Sequence, residues 1–215
     1  MKKDRLVEVY KGMYLYKIGS ENIESFSNFV YKKYAYHYHK KYNWNPEESV
    51  QKEMNKADAN QYENSVYYGF RDAEGNFLGT MKVGKKGNEE LSIEKDFNIQ
   101  LDELITKLDF SVGNVWHLGR LAIASEILKR DFPLVSSKEV IQNLLLHSLN
   151  HIAKNDNDIM LAESDVLIHK IFDELGLHME IIGEKRYFLG SPTYPVMLTA
   201  KTIQNWLANH MAFSN

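Results

Sequence analysis

The feature that most limits what this chain can fold into is the way its apolar residues change period. Runs that repeat every two residues alternate with runs that repeat near 3.6, and neither kind dominates. VEVYKGMYLYKI (7–18) alternates and predicts one or two short strands. Ser20 then precedes ENIESFSNFVYKKYAY, where Phe26, Val30, Tyr34 and Tyr38 recur at helical spacing. In NPEESVQKEM (45–54), Pro46 and two glutamates stand where a second helix should begin. SVYYGF (65–70) and FLGTMKV (77–83) read as a hairpin joined by RDAEGN, with Gly75 and Asn76 suited to positive φ. FNIQLDELITKL (97–108) predicts a short helix, and residues 112–124 a long strand. Ser136 and Glu139 then form a capping-box pattern ahead of the stripe Val140, Ile141, Leu144, Leu145, Leu149 and Ile152. Downstream lie a buried strand (158–163), a helix stopped by Gly176 (165–176), two β segments within 177–190, a strand (194–200) and a last helix (202–210). This order predicts a mixed α/β sheet flanked by helices rather than a bundle.

Composition narrows the function. Twenty-six Lys and Arg stand against 29 Asp and Glu, a net charge of -3, so no global field draws nucleic acid or an anionic membrane. The absence of cysteine rules out disulfides, thiolate nucleophiles and Cys-ligated zinc. The four prolines, at 46, 133, 192 and 195, mark no linker, and a single domain over residues 1–215 is the expectation. MKKDRLVEVYKGMYLYKI is interrupted by charge before a membrane span or signal sequence can develop, which points to a cytoplasmic protein.

VGNVWHLGRLAIA (112–124) carries the chemistry that this pattern leaves unexplained. An imidazole and a guanidinium, His117 and Arg120, interrupt a β-rich apolar run, and each is costly to bury without partners. Strict alternation places Val115, His117, Gly119, Leu121 and Ile123 on one face and Trp116, Leu118, Arg120 and Ala122 on the other. His117 and Arg120 then point apart unless a bulge intervenes.

These residues, with the element order, resemble the GNAT acyltransferase superfamily over about residues 14–200. Within it they are similar to the acyl-homoserine-lactone (autoinducer) synthases and long-chain N-acyl amino acid synthases. FVYKKYAYHYHKKYNW occupies the place of their early aromatic and basic helix. FLGTMKV resembles "vvGtmRl", LSIEKDF (91–97) resembles "lpIekxF", VWHLGRLAI (115–123) resembles "vwExsRlaV" and KIFDELGL (170–177) resembles "lyxklGf". The resemblance implies a GNAT-like fold in which strands 114–124 and 158–163 splay and a pantetheine arm lies between them. It implies no tightly bound cofactor. The donor would be the acyl-phosphopantetheine of an acyl carrier protein, or acyl-CoA, and the acceptor a small-molecule amine. Donor-binding candidates are the backbone at Leu121, Ala122 and Ile123, with Lys129, Arg130 and the helix start at Ser136 and Ser137. Catalytic candidates are His117, Arg120 and Glu163, and acceptor-side or acyl-pocket candidates are Tyr34, His37 and Tyr194.

The chain departs from the pattern at three places. SEILKRDFPLVSSKE has no glycine where acetyl-CoA enzymes carry a glycine loop. Phe172 stands where a tyrosine often reprotonates the leaving thiolate. His117 replaces the glutamate of "vwExsR", yet an imidazole, with an unperturbed pKa near ~6.5, can accept a proton near neutrality. Lys32, Lys33, Lys40, Lys41, Lys129 and Arg130 are a candidate basic surface for an acidic carrier protein, for single-stranded nucleic acid or simply for solvent. Overall acidity favours the carrier protein over nucleic acid. His147 and His151 have a metal-compatible spacing but no third ligand, so no metal is expected. Two other readings stay open: an acetyl-CoA-dependent N-acetyltransferase, and a GNAT-like module that binds an acyl group or a partner without catalysis.

Overall fold

The computed structural model describes residues 2–211, and its elements follow the order read from the sequence. The chain opens with the hairpin β1 (Arg5–Tyr10) and β2 (Met13–Lys17), then a 3-10 turn (Ser20–Asn22) and the helices α1 (Ile23–Tyr42) and α2 (Glu48–Asn60). A second 3-10 turn (Tyr62–Asn64) precedes β3 (Ser65–Arg71) and β4 (Phe77–Lys85). Gly75 has φ 89° as expected, but Asn76 is not among the residues at positive φ. Asp72 organises the turn instead, its carboxylate accepting the backbone N–H groups of Glu74 and Asn76 and the Asn76 amide.

The helix expected over 97–108 is two helices, α3 (Ser92–Phe97) and α4 (Leu101–Thr106). Asn98, at φ 56°, ends the first, because an asparagine tolerates the left-handed region that terminates a helix. β5 (Val115–Ile123) is followed by α5 (Ser125–Asp131), which was not expected, and then by α6 (Ser137–Leu149). β6 (Ile159–Asp165), α7 (Val166–Glu174), β7 (Glu180–Ile181), β8 (Arg186–Phe188), β9 (Ser191–Thr199) and α8 (Ala200–Met211) complete the order. The nine strands form a mixed sheet: β1 to β3 pair antiparallel, β5 and β6 pair parallel, and β6 to β9 is antiparallel.

The chain divides into two compact units. The first holds the residues up to Lys82 together with Arg120–Leu145, and the second Val83–Gly119 together with the residues from Leu146 onward. β4, β5 and α6 contribute residues to both. In the first unit the strand order is β1-β2-β3-β4. Its core joins Ile23, Phe26 and Val30 of α1 and Met54 of α2 to Tyr67, Phe77 and Ala122 from the strands. Phe26 meets Tyr67 and Phe77 edge-on, with ring centroids 5.2 and 6.0 Å apart. In the second unit the order is β5-β6-β9-β7, with β8 also on β9. Ile93, Phe97 and Leu101 of α3 and α4 cover Ile159, Leu161 and Met197. The parallel register of β5 with β6 runs from Val115↔Ile159 to Leu118↔Ala162, while β5 continues to Ile123 and β6 to Asp165. No helix among the described residues is long and apolar enough to cross a membrane.

Candidate active site

In the second unit His117 lies opposite Leu161, and Glu163 is the next residue on that face of β6. This diagonal placement brings the imidazole Nε2 within 2.7 Å of Glu163 Oε2. Ser92, the first residue of α3, donates its hydroxyl to the other carboxylate oxygen at 2.6 Å. The start of α3 is itself fixed, because Glu94 accepts the Leu91 N–H at 2.7 Å and pairs with Lys86 at 2.9 Å. The Glu163 side chain is 6% exposed and that of His117 17%. Burial pushes the Glu163 carboxyl up, but the His117 charge and the hydrogen bonds from His117 and Ser92 hold it below the ordinary value. The opposite happens at Asp96, one turn beyond Ser92, whose carboxyl is raised by burial and by the Glu163 charge.

A buried carboxylate is an acceptor only, so it fixes the imidazole tautomer with the proton on Nε2. Nδ1 then carries the lone pair, and it has no hydrogen-bond partner among the described residues. Gly119 leaves the space beside it open. A Cβ there would meet His117 Cε1 at 3.2 Å and Nδ1 at 3.8 Å. The arrangement holds one imidazole nitrogen against a carboxylate and leaves the other beside Gly119 without a hydrogen-bond partner among the described residues.

Arg120 occupies a different setting in the first unit. Its φ of 57° breaks the period of two expected along β5, and its carbonyl is satisfied by the Thr80 hydroxyl at 2.9 Å. Its Nε donates to both oxygens of Asp58, at 3.1 and 2.9 Å. Asp58, fully buried on α2, also accepts from Ser27 Oγ at 2.7 Å and from Lys82 Nζ at 3.2 Å. Lys82 bonds Gln61 as well, and the Tyr67 hydroxyl donates to the Asp58 carbonyl at 3.0 Å. Burial raises the Asp58 carboxyl, but the Arg120 and Lys82 charges outweigh it and hold the group low. Burial and the Asp58 charge drive the Tyr67 phenol far above its ordinary range.

Tyr34 acts electrostatically on Arg120 and meets Tyr38 at a tilt, with ring centroids 5.6 Å apart, while His37 Nε2 donates to the Ile123 carbonyl at 3.3 Å. Leu121 is half-buried, and Ala122 and Ile123 are buried. Tyr194 pairs with Ser164, next in register to Glu163↔Pro195, and lies between the His169 ring at 5.6 Å and Lys185 Nζ at 5.7 Å. The capping box at the start of α6 forms as expected. Ser136 N–H donates to Glu139 at 2.9 Å, and Glu139 N–H to Ser136 Oγ at 3.1 Å. That carboxylate, also paired with Lys11 at 2.5 Å, occupies the Ser136 hydroxyl, and Ser137 donates to Ser125 Oγ at 3.0 Å. Lys129 and Arg130 are exposed on α5. Within the basic surface Lys33 is paired with Glu126 and Arg130 with Asp131, so only part of its charge is open. Phe172 is buried. Among the described residues no group of three or more His, Asp or Glu side chains could hold a metal ion.

The structure thus joins His117 to Glu163 in one unit, and in the other it sets Tyr34 to act on Arg120 and bonds His37 to Ile123. Sequence reasoning missed Ser92, Asp58 and Lys82. Asp58 had a signal, since an acidic residue four positions after Met54 on an amphipathic helix falls on the buried face.

No protein-family model and no curated protein sequence matches this chain. Solved structures do share its fold. The N-acyl amino acid synthase FeeM, from uncultured soil microbes, superposes with a TM-score of 0.68 at 13% identity, covering 93% of this chain and 99% of that one. The CoA-dependent acyl-homoserine lactone synthase BjaI, solved with SAM and isopentyl-CoA, gives 0.56 at 12% identity, covering 91% and 84%. Ribosomal-protein-S5-alanine acetyltransferase from Vibrio fischeri gives 0.51 at 12% identity, covering 92% and 97%. The chain has the GNAT-like fold that the order of its motifs implied.

Proposed function

We propose that this protein is an N-acyltransferase that moves a fatty acyl group from a pantetheine thioester to the amine of an amino acid or related small molecule. The observation that carries this reading is the His117–Glu163 pair, whose Nδ1 has no hydrogen-bond partner among the described residues and lies beside a glycine. In the reaction an ammonium acceptor first loses a proton to solvent. The amine nitrogen then attacks the thioester carbonyl carbon, and His117 Nδ1 takes the second proton as the C–N bond forms. The negative charge passes to the carbonyl oxygen, where backbone N–H groups within Leu121–Ile123 on one edge of β5 are the donors we assign to stabilise it. Collapse breaks the C–S bond, and the imidazolium returns its proton to the thiolate. The products are an amide and a free thiol, with His117 neutral again. Glu163 stabilises the transient imidazolium and keeps Nδ1 as the basic nitrogen, and Ser92 holds Glu163. This cycle needs no tyrosine at 172.

The donor is a carrier-protein or CoA thioester. Lys129 and Arg130 are the groups we assign near its phosphates, with Lys32, Lys40 and Lys129 available to steer an acidic carrier protein. Tyr34 and His37 serve the acceptor and Tyr194 the acyl pocket. The test is incubation with acyl carrier protein and CoA thioesters of several chain lengths and an amino acid panel, reading products by mass. An N-acyl amino acid is the expected product. Ligand binding with no product under any donor would replace this reading with that of a non-catalytic acyl-binding module, and acetyl-CoA as the sole competent donor would make the protein an acetyltransferase.

A further inference from the structure

The second half of α1 leaves the core that the first half builds. Ile23, Phe26, Ser27 and Val30 are buried in the first unit, but no residue from Tyr31 to the end of the helix at Tyr42 is. Tyr31 and Tyr34 pack at the margin of that core, and His37 reaches the Ile123 carbonyl. At 1.5 Å per residue this half is about 18 Å long. Asn43, at φ 55°, ends the helix, and the N–H of Trp44 donates back to the Tyr38 carbonyl at 3.3 Å. The turn sets the Trp44 ring 6.1 Å from that of Tyr38, which also meets Tyr34 at 5.6 Å and Tyr42 at 6.2 Å. Lys32, Tyr36, His39 and Lys40 follow one another along the exposed side, with Tyr36 52% exposed. Lys41, also exposed, lies over the Tyr42 ring at 5.1 Å.

Charge on this stretch has one sign. Residues 25–46 hold four lysines and no Asp or Glu. Lys33 is paired with Glu126 of α5, whereas Lys32, Lys40 and Lys41 make no ion pair among the described residues. Of the two acids that follow the stretch, Glu47 accepts the Ser49 hydroxyl and Glu48 pairs with Lys52. Open lysines beside tyrosines and a tryptophan combine the two parts of a membrane-surface anchor. Cations are drawn to anionic headgroups, and amphipathic rings settle at headgroup depth. A carrier protein steered by the same lysines needs their charge but not the rings. We infer that the exposed end of α1 docks on an anionic phospholipid bilayer, with Lys32, Lys40 and Lys41 over the headgroups and Tyr36, Tyr42 and Trp44 among them. This goes beyond the acyltransferase reading and does not depend on it, because docking needs no turnover.

The test is sedimentation of the full-length protein with vesicles of phosphatidylcholine alone and of phosphatidylcholine mixed with phosphatidylglycerol. The protein should sediment with the mixed vesicles and not with the neutral ones, and added salt should release it. Lys40→Glu with Lys41→Glu should weaken binding more than tenfold, since each lysine near such a surface contributes about fivefold. Lys154→Glu with Lys201→Glu makes the same change of charge on exposed residues of the second unit and should leave binding unchanged. Tyr36→Ser, which alters no charge, should weaken binding severalfold. Melting curves confirm that each variant is folded. Failure to sediment with the mixed vesicles, equal losses from the two lysine pairs, or full binding by Tyr36→Ser would each overturn the inference. A protein that ignores both vesicles but binds holo acyl carrier protein through Lys40 and Lys41 would also overturn it, and would assign this face to the carrier protein.

Discussion

His117 depends on its neighbours more than on its own chemistry. Glu163→Gln keeps the size of the partner but removes the charge that supports an imidazolium, so kcat should fall at least tenfold in the product assay. The same substitution has a pH signature. Glu163 has its carboxyl lowered in the folded protein from an ordinary value of 4.5. Its stabilising contribution is therefore complete above that value and is lost as pH falls through the folded one. Melting of the wild-type protein should weaken on acidification below about pH 4.5, and Glu163→Gln should lose less over that interval. Gly119→Ala would bring a methyl against the imidazole at 3.2 Å from Cε1, close enough to shift the ring by a few tenths of an ångström. Activity should fall severalfold with the melting temperature little changed, because only one neighbour must give. The sequence made His117 and Arg120 visible as polar residues in an apolar strand. Their partners were not visible, because Glu163 is 46 residues and Asp58 62 residues away in the chain.

Elements with strong local signals were the ones the sequence revealed. The helix after Ser136 could be read because its start is specified by two residues three apart, and the reciprocal bonds between Ser136 and Glu139 are present. Ser136→Ala should cost about 1 kcal/mol of stability by denaturant unfolding. Glu139 is pushed down to about 2 by its bonds to Lys11 and the Ser136 backbone. That anchor should persist down to mildly acidic pH and disappear as pH falls from the ordinary carboxylate range toward 2. Elements set by context were missed or misjudged. α5 begins at Ser125 without a side-chain cap, and its apolar residues are too few to show a period. The hairpin turn was misread at Asn76 because Asp72, and not a second residue at positive φ, closes it. Arg120 breaks the alternation of β5 through a backbone conformation that no pattern of side chains announces.

At the scale of the molecule, the order of elements was legible because each switch between periods marks a boundary, and that order restricts a mixed sheet to few topologies. The fold shared with FeeM at 13% identity has the same explanation. Order and burial pattern survive where individual residues do not, which is why fold could be read from this sequence while function rests on a few side chains. One unit holds a carboxylate-supported imidazole, and the other a guanidinium bonded to a buried carboxylate. The most direct measurement is kcat/KM for acyl transfer by the wild-type protein and His117→Ala, assayed side by side with donor binding followed separately. The account predicts a fall of about 10²–10⁴ in rate, the usual contribution of a positioned general base, with donor affinity retained. Equal turnover by the two proteins would contradict it.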